Sequence, residues 1–217
     1  IMKNKNVLSI ETSLSRILLV LSINEKLYSL NKYVDNSIEV ELNVLISKII
    51  LRNRASFSDL NFILVSLGPG SYTGSRVGLA AAKAISMSLK IPLLGYSNFY
   101  AIYLQAKLNN LLLENQEAGI IIKANKTELY YQKYSNEILG GKGVMSIISL
   151  VSLRKENNYP FKIIGNLKLE LSFNSYIYCM PYKESLVAIF KDVYKDFLKR
   201  NSSDQEPYYI NGHYASK

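Results

Sequence analysis

An antiparallel run of strands followed by alternating helices and strands makes this 217-residue chain an α/β protein built on a mixed sheet. Three features carry that expectation. Residues 7–34 hold three β-rich runs broken only by short turns; residues 38–52 switch to a helical apolar period; and an apolar run from Phe62 leads into a glycine-rich turn and a second helix. With 48% hydrophobic residues the chain suffices for one large domain or two small ones that each bury a core. Disorder and collagen-like repeats are excluded.

Val7–Ile10 and Arg16–Ile23 are strands separated by the turn-prone Glu11-Thr12-Ser13, and Leu27–Val34 follows the break Asn24-Glu25-Lys26, completing a three-stranded meander. Ile38–Arg52 is predicted to be a helix with Asn36 or Ser37 as N-cap. Its main apolar face holds Ile38, Leu42, Leu45, Ile46 and Ile49, and a second stripe of Val40, Val44 and Leu51 lies on the opposite side. One face meets the sheet and the other is left for something else. Phe62–Leu67 reads as a buried strand, Gly68–Gly74 as a turn, Ser75–Leu89 as a helix closed before Pro92, and Leu93–Gly95 as a short strand. This order is that of a mixed sheet of the ribonuclease-H type.

A second, smaller lobe is expected from residue 99 to 217, following a first lobe over residues 1–98. It opens with a helix over Phe99–Leu113 and a strand pair, Ala118–Ala124 and Glu128–Tyr134, joined by Asn125-Lys126-Thr127. Gly140–Gly143 reads as a loop, Met145–Lys155 as a helix and Lys162–Ile164 as a strand. A closing amphipathic helix over Ser185–Arg200 presents Leu186, Ile189, Phe190, Val193 and Phe197, and a polar, mobile tail runs from Asn201 to Tyr208–Ile210. No internal repeat interrupts this order.

Composition narrows the function classes. The formal charge of +9 permits a polyanionic partner such as RNA and equally suits a solvated surface. Cys179 is the single cysteine, which excludes an intramolecular disulfide framework and a thiolate zinc cage and points to a reducing compartment, the cytoplasm. His213 is also alone, so mechanisms that need two histidines are excluded, metallopeptidase chemistry among them. No apolar run approaches the roughly 18 residues of a membrane helix. Lys3–Lys5 leads straight into a strand pattern, so no secretory leader is expected, and Ile1 before Met2 is set aside as a start-site artefact.

The most specific stretch is Gly68-Pro-Gly-Ser-Tyr-Thr-Gly-Ser-Arg-Val-Gly-Leu-Ala-Ala-Ala-Lys. A glycine-rich turn at a helix N-terminus offers unpaired amides to an anion, which makes Gly68, Gly70, Ser71 and Thr73 candidate anion-binding residues. It is not a Walker A loop, since Ser75-Arg76 follows Gly74, and its glycines lack dinucleotide-turn spacing. Along the helix, Gly74, Gly78, Ala82 and Ser86 form a stripe of small side chains at fourfold spacing, open to close approach by this protein's own sheet or by a helix of another polypeptide.

This segment resembles the signature of the TsaB (YeaZ) family, G-P-G-S-F-T-G-L-R-I-G-L-A-x-A-K-G, with differences at Tyr72, Ser75, Val77 and Ala84. Leu8-Ser-Ile-Glu-Thr-Ser, Pro92-Leu-Leu-Gly-Tyr-Ser and Glu206-Pro-Tyr-Tyr resemble three further motifs of that family. The likeness is densest in the first hundred residues, and no motif is matched between Glu137 and Asp204. The chain departs from the pattern at Tyr33-Val-Asp-Asn-Ser, where the family is histidine-rich, and at Lys123–Tyr130, where it carries D-A-R-R-G-E-V-Y.

The resemblance implies a two-lobed α/β fold of the actin, hexokinase and Hsp70 type with a reduced second lobe. It also implies a non-catalytic scaffold for a larger TsaD-like paralogue, which transfers a threonylcarbamoyl group to an adenosine beside the anticodon of tRNA. A TsaE-like ATPase joins the complex, tRNA is its substrate, and ATP and magnesium belong to the partner subunits rather than to this chain. Pairing through the two helices of the first lobe, with the paralogue or with a second copy as a homodimer, implies partner contacts at Ile38, Leu42, Leu45, Ile46, Ile49, Gly74, Arg76, Gly78, Ala82 and Ser86. Two alternatives stand beside this. An ATP-using enzyme of the same superfold would use Glu11 as its acid; yet Thr-Ser follows Glu11 where a phosphate turn has glycine, which favours a structural glutamate. An RNA-binding module would draw on the charge and the interleaved tyrosines.

Overall fold

A computed structural model describes residues 5–34, 38–114, 116–134, 146–149, 161–167 and 176–199. Its first sheet has the order β3-β2-β1-β4-β5, from β1 (Val7–Glu11), β2 (Arg16–Ile23), β3 (Lys26–Tyr33), β4 (Phe62–Ser66) and β5 (Leu93–Tyr96). The β1–β2–β3 meander is antiparallel, whereas β4 and β5 run parallel to β1. The second sheet has the order β10-β9-β6-β7-β8, from β6 (Ala118–Lys123), β7 (Glu128–Tyr134), β8 (Ser146–Ser149), β9 (Lys162–Gly165) and β10 (Tyr176–Tyr178).

Helices α1 (Ile38–Arg52) and α2 (Tyr72–Leu89) cover one face of the first sheet. Leu42, Leu45, Ile46, Ile49 and Ile50 of α1 and Ala82 of α2 are buried there with Leu8, Ile10, Leu19, Leu21, Ile63 and Val65. The opposite face meets α3 (Asn98–Leu108) and α4 (Lys183–Lys199) in a core that continues through Ile120, Ile122 and Ile164 into the second sheet. Both sheets therefore share one hydrophobic layer. Phe62 anchors it, meeting the rings of Phe190, Tyr194 and Phe197 on α4 edge-on at centroid distances of 5.5, 5.3 and 6.0 Å. Among the described residues no helix is long and apolar enough to cross a membrane.

Several sequence expectations are corrected. Helix α2 begins at Tyr72 rather than Ser75, because the Ser71 hydroxyl accepts the Gly74 amide and acts as N-cap. Helix α3 ends at Leu108 rather than Leu113; Asn110 turns to φ 56° and the Leu111 amide reaches back to the Ala106 carbonyl. Within the helix expected over Met145–Lys155, Ser146–Ser149 form β8 instead, pairing antiparallel with β7, and the rest of that range lies outside the described residues. β10 is additional. Gly140–Gly143, Asn36 and Ser37 and the tail from Asn201 lie outside the described residues.

Candidate functional site

In an open α/β sheet the natural ligand position is the crevice beyond the carboxyl ends of the parallel strands. Here that position lies past Glu11 of β1, Ser66 of β4 and Tyr96 of β5, and the chain fills it with its own turns. Gly68 (φ 86°) and Gly70 (φ 154°) hold backbone conformations that favour glycine, which folds the turn over the β1–β2 connection. A Cβ on Gly70 would strike the Ser13 carbonyl oxygen, one on Gly74 the Thr12 carbonyl oxygen, and one on Gly78 the Thr12 hydroxyl. The small-residue stripe thus seats Thr12 and Ser13 of the same chain, and Thr12 Oγ1 donates to the Gly74 carbonyl at 2.6 Å.

Asn98 locks this arrangement from the start of α3. Its amide donates to Ser13 Oγ at 2.6 Å and to the Pro69 carbonyl at 2.9 Å, and its oxygen accepts from Ser66 Oγ at 2.8 Å. Three of the amides that would cradle an anion are spent internally. Gly68 donates to Ser66 Oγ, Ser71 to the Ser13 carbonyl and Gly74 to Ser71 Oγ. Of the four candidate anion-binding residues, Gly68 and Gly70 are buried and Ser71 and Thr73 are exposed. The first turns of α2 pack directly against Thr12 and Ser13.

Glu11 is wholly buried. Its Oε1 accepts from the Ser13 amide at 2.6 Å, the Ser13 hydroxyl at 2.9 Å and the Leu14 amide at 3.1 Å. Arg16, also buried, lies with Nε 3.9 Å from Glu11 Oε2 and donates through Nη2 to the Pro181 carbonyl ahead of α4. Burial raises the Glu11 pKa above its ordinary value, outweighing the Arg16 charge and the Ser13 and Leu14 donors that lower it. The folded state therefore holds the proton more tightly than the unfolded chain. The stability this group contributes is full below its unfolded pKa and is lost as pH rises through the folded one. Urea titration is expected to show the stability of the parent relative to Glu11→Gln shrinking as pH rises above the ordinary carboxylate range. A difference that grows as pH rises contradicts the buried-carboxylate account.

The second candidate is the outer face of α1 and α2. Val40, Val44 and Leu51 on α1 are 68%, 61% and 72% exposed, and Met87 on α2 is 77% exposed. Ala80 and Ala84 lie exposed on α2, and the Arg76 guanidinium stacks 3.8 Å from the Tyr72 ring centroid at its N-terminal end. These apolar side chains lie bare on the outer side of two helices that contact each other.

The partner-contact residues expected from sequence differ in their exposure. Leu42, Leu45, Ile46, Ile49, Gly74, Gly78 and Ala82 are buried against the protein's own sheet and β1–β2 turn. Ile38 and Ser86 are half-buried, Ser86 donating to the Ile91 carbonyl, and Arg76 alone of that set is exposed. Val40, Val44 and Leu51, which lie bare on the outer side of α1, were legible in the sequence as the surplus stripe. Met87 carried no separate signal.

A cavity of about 490 Å³ opens beside Arg16, bordered by Gln105, Asn109, Met180 and Tyr182. The Gln105 side chain already accepts from the Tyr182 amide and donates to Asn109 Oδ1.

Comparison with known proteins agrees with the signature in α2. A family model described as TsaD, tRNA N6-adenosine threonylcarbamoyltransferase, matches residues 34–170. The tRNA threonylcarbamoyladenosine biosynthesis protein TsaB of Buchnera aphidicola subsp. Baizongia pistaciae is 32% identical over 172 residues, 75% of each chain. The protein of the same name from Escherichia coli strain K12 is 26% identical over 93 residues, 43% of this chain and 39% of that one. Among solved structures, YeaZ from Pseudomonas aeruginosa superposes with a TM-score of 0.70 at 16% identity, covering 94% of this chain and 99% of that one, a likeness of fold.

Proposed function

The chain belongs to the TsaB (YeaZ) family of tRNA threonylcarbamoyladenosine biosynthesis proteins, and from that premise we propose that it is a non-catalytic scaffold subunit. Its partner is a TsaD-like catalytic paralogue that transfers the threonylcarbamoyl group to adenosine beside the anticodon, with a TsaE-like ATPase in the same assembly. The observation that carries this reading is the bare apolar face of α1 and α2, with Val40, Val44, Leu51 and Met87 turned away from the sheet. The packing of α2, Gly70 and Asn98 against Thr12 and Ser13 of the same chain is consistent with it.

Omitting this protein from a reconstituted mixture that contains the paralogue and the ATPase is expected to abolish threonylcarbamoyladenosine formation. Modification that proceeds at full rate without it overturns the scaffold role. Interface variants refine the test. Val44→Asp and Leu51→Asp, both on the surface, are expected to change folding stability by no more than about 0.5 kcal/mol. Each is expected to weaken the heterodimer at least about 30-fold, roughly 2 kcal/mol, as read by calorimetric titration.

An ATP-using enzyme predicts turnover by the isolated chain that is lost in Glu11→Ala. The burial of Glu11 and its three internal donors argue against that reading. An RNA-binding module predicts tRNA binding by the isolated chain that falls steeply with salt.

A further inference from the structure

Three buried polar atoms at the carboxyl end of the first sheet have no hydrogen-bond partner among the described residues: Glu11 Oε2, Arg16 Nε and Tyr96 Oη. The strand registers place their three residues on one side of the sheet. Ile10 stands beside Val65 and Ser66 beside Tyr96, so Glu11, one residue past Ile10, shares a row with Ser66 and Tyr96 across three parallel strands. Glu11 also faces Leu18 on β2, and Arg16, two residues away, projects to the same side. Arg16 Nε lies 3.9 Å from Glu11 Oε2, near enough for charge attraction and too far for a hydrogen bond. The Tyr96 hydroxyl feels both charges: burial first, then Glu11, raises its pKa well above the ordinary value, while Arg16 lowers it.

We propose that a single internal water occupies this place, accepting from Arg16 Nε–H and Tyr96 O–H and donating to Glu11 Oε2. The inventory balances, since two unpaired donors and one unpaired acceptor match the capacity of one water, and three bonds are typical for a buried one. A direct Glu11–Arg16 bond would satisfy two of the atoms and leave the Tyr96 hydroxyl bare in a wholly buried site. Arg16 disfavours a metal cation there, and Glu11 disfavours an anion.

The water completes one hydrogen-bonded chain through the core. It continues from Ser66 to Asn98, Ser13 and Glu11, and from Arg16 to the Pro181 carbonyl ahead of α4. That chain ties the ends of β1, β4 and β5 to the closing helix and fills the crevice with the protein's own groups. The water is a structural ligand, independent of the partner the outer helices bind.

A high-resolution crystal structure of the full chain tests it. Expected is one ordered peak within hydrogen-bonding distance of all three atoms. An empty site, a direct Glu11–Arg16 bond, a peak that touches only two of the atoms, or metal-length contacts each overturn the proposal. In solution, the Tyr96 hydroxyl proton is expected to give a magnetisation-transfer cross-peak to bound water, lost in Tyr96→Phe, a variant that keeps the ring. Absence of that cross-peak from the parent protein also overturns it.

Discussion

Gly74→Val is expected to melt roughly 10 °C below the parent chain, a loss of about 3 kcal/mol. The position lies inside the first turn of α2, and any Cβ there meets the Thr12 backbone carbonyl, which has no rotamer with which to move aside. The same substitution displaces the Thr12 hydroxyl, which donates to the Gly74 carbonyl at 2.6 Å. Gly78 is the milder case, because a Cβ there meets the Thr12 hydroxyl rather than backbone. Ala80→Val, on the exposed side of the same helix, serves as the control and is expected to stay within about 0.5 kcal/mol. Circular dichroism melts of Gly74→Val and Ala80→Val decide it. Equal stabilities would mean that the β1–β2 turn is not seated on the small-residue stripe.

Arg16→Met is expected to cost about 3–5 kcal/mol at neutral pH, the penalty for breaking a buried ion pair from one side. Its guanidinium is the positive charge beside Glu11 and a donor to the Pro181 carbonyl, so its loss strands a buried carboxylate and a buried acceptor together. Adding Glu11→Gln to the same chain is expected to recover part of the loss, because the charge left without compensation is then gone. Lowering the pH is expected to recover part of it by the same logic. Burial already raises the Glu11 pKa, and without Arg16 it rises further, so the variant regains stability on acidification before the unfolded carboxyl titrates. Urea titrations of the single and double variants at two pH values measure both effects. No recovery in either would mean that Arg16 acts by packing alone.

Interface design follows from the same geometry. Gly78→Leu and Ala82→Arg, natural choices from the small-residue pattern, alter buried positions and would confuse unfolding with lost association. Val44 and Leu51 separate the two, since both side chains stand clear of the core.

Local pattern by itself determined most of the elements. The meander, α1 over Ile38–Arg52, β4, β6, β7, β9 and the closing helix follow from apolar period and turn residues, signals a segment carries whatever surrounds it. It also separated the two stripes of α1. Packing decided which stripe goes inside, because apolar side chains spaced along a helix satisfy a sheet and a partner equally well. The strand β8 was beyond local reading, since four residues are too few to show a period and only the free edge of β7 selects the extended form. The same holds at the carboxyl end of the first sheet. Gly74, Glu11, Arg16, Tyr96 and Asn98 are scattered along the chain, and their meeting is a product of strand register, which no short window of sequence contains.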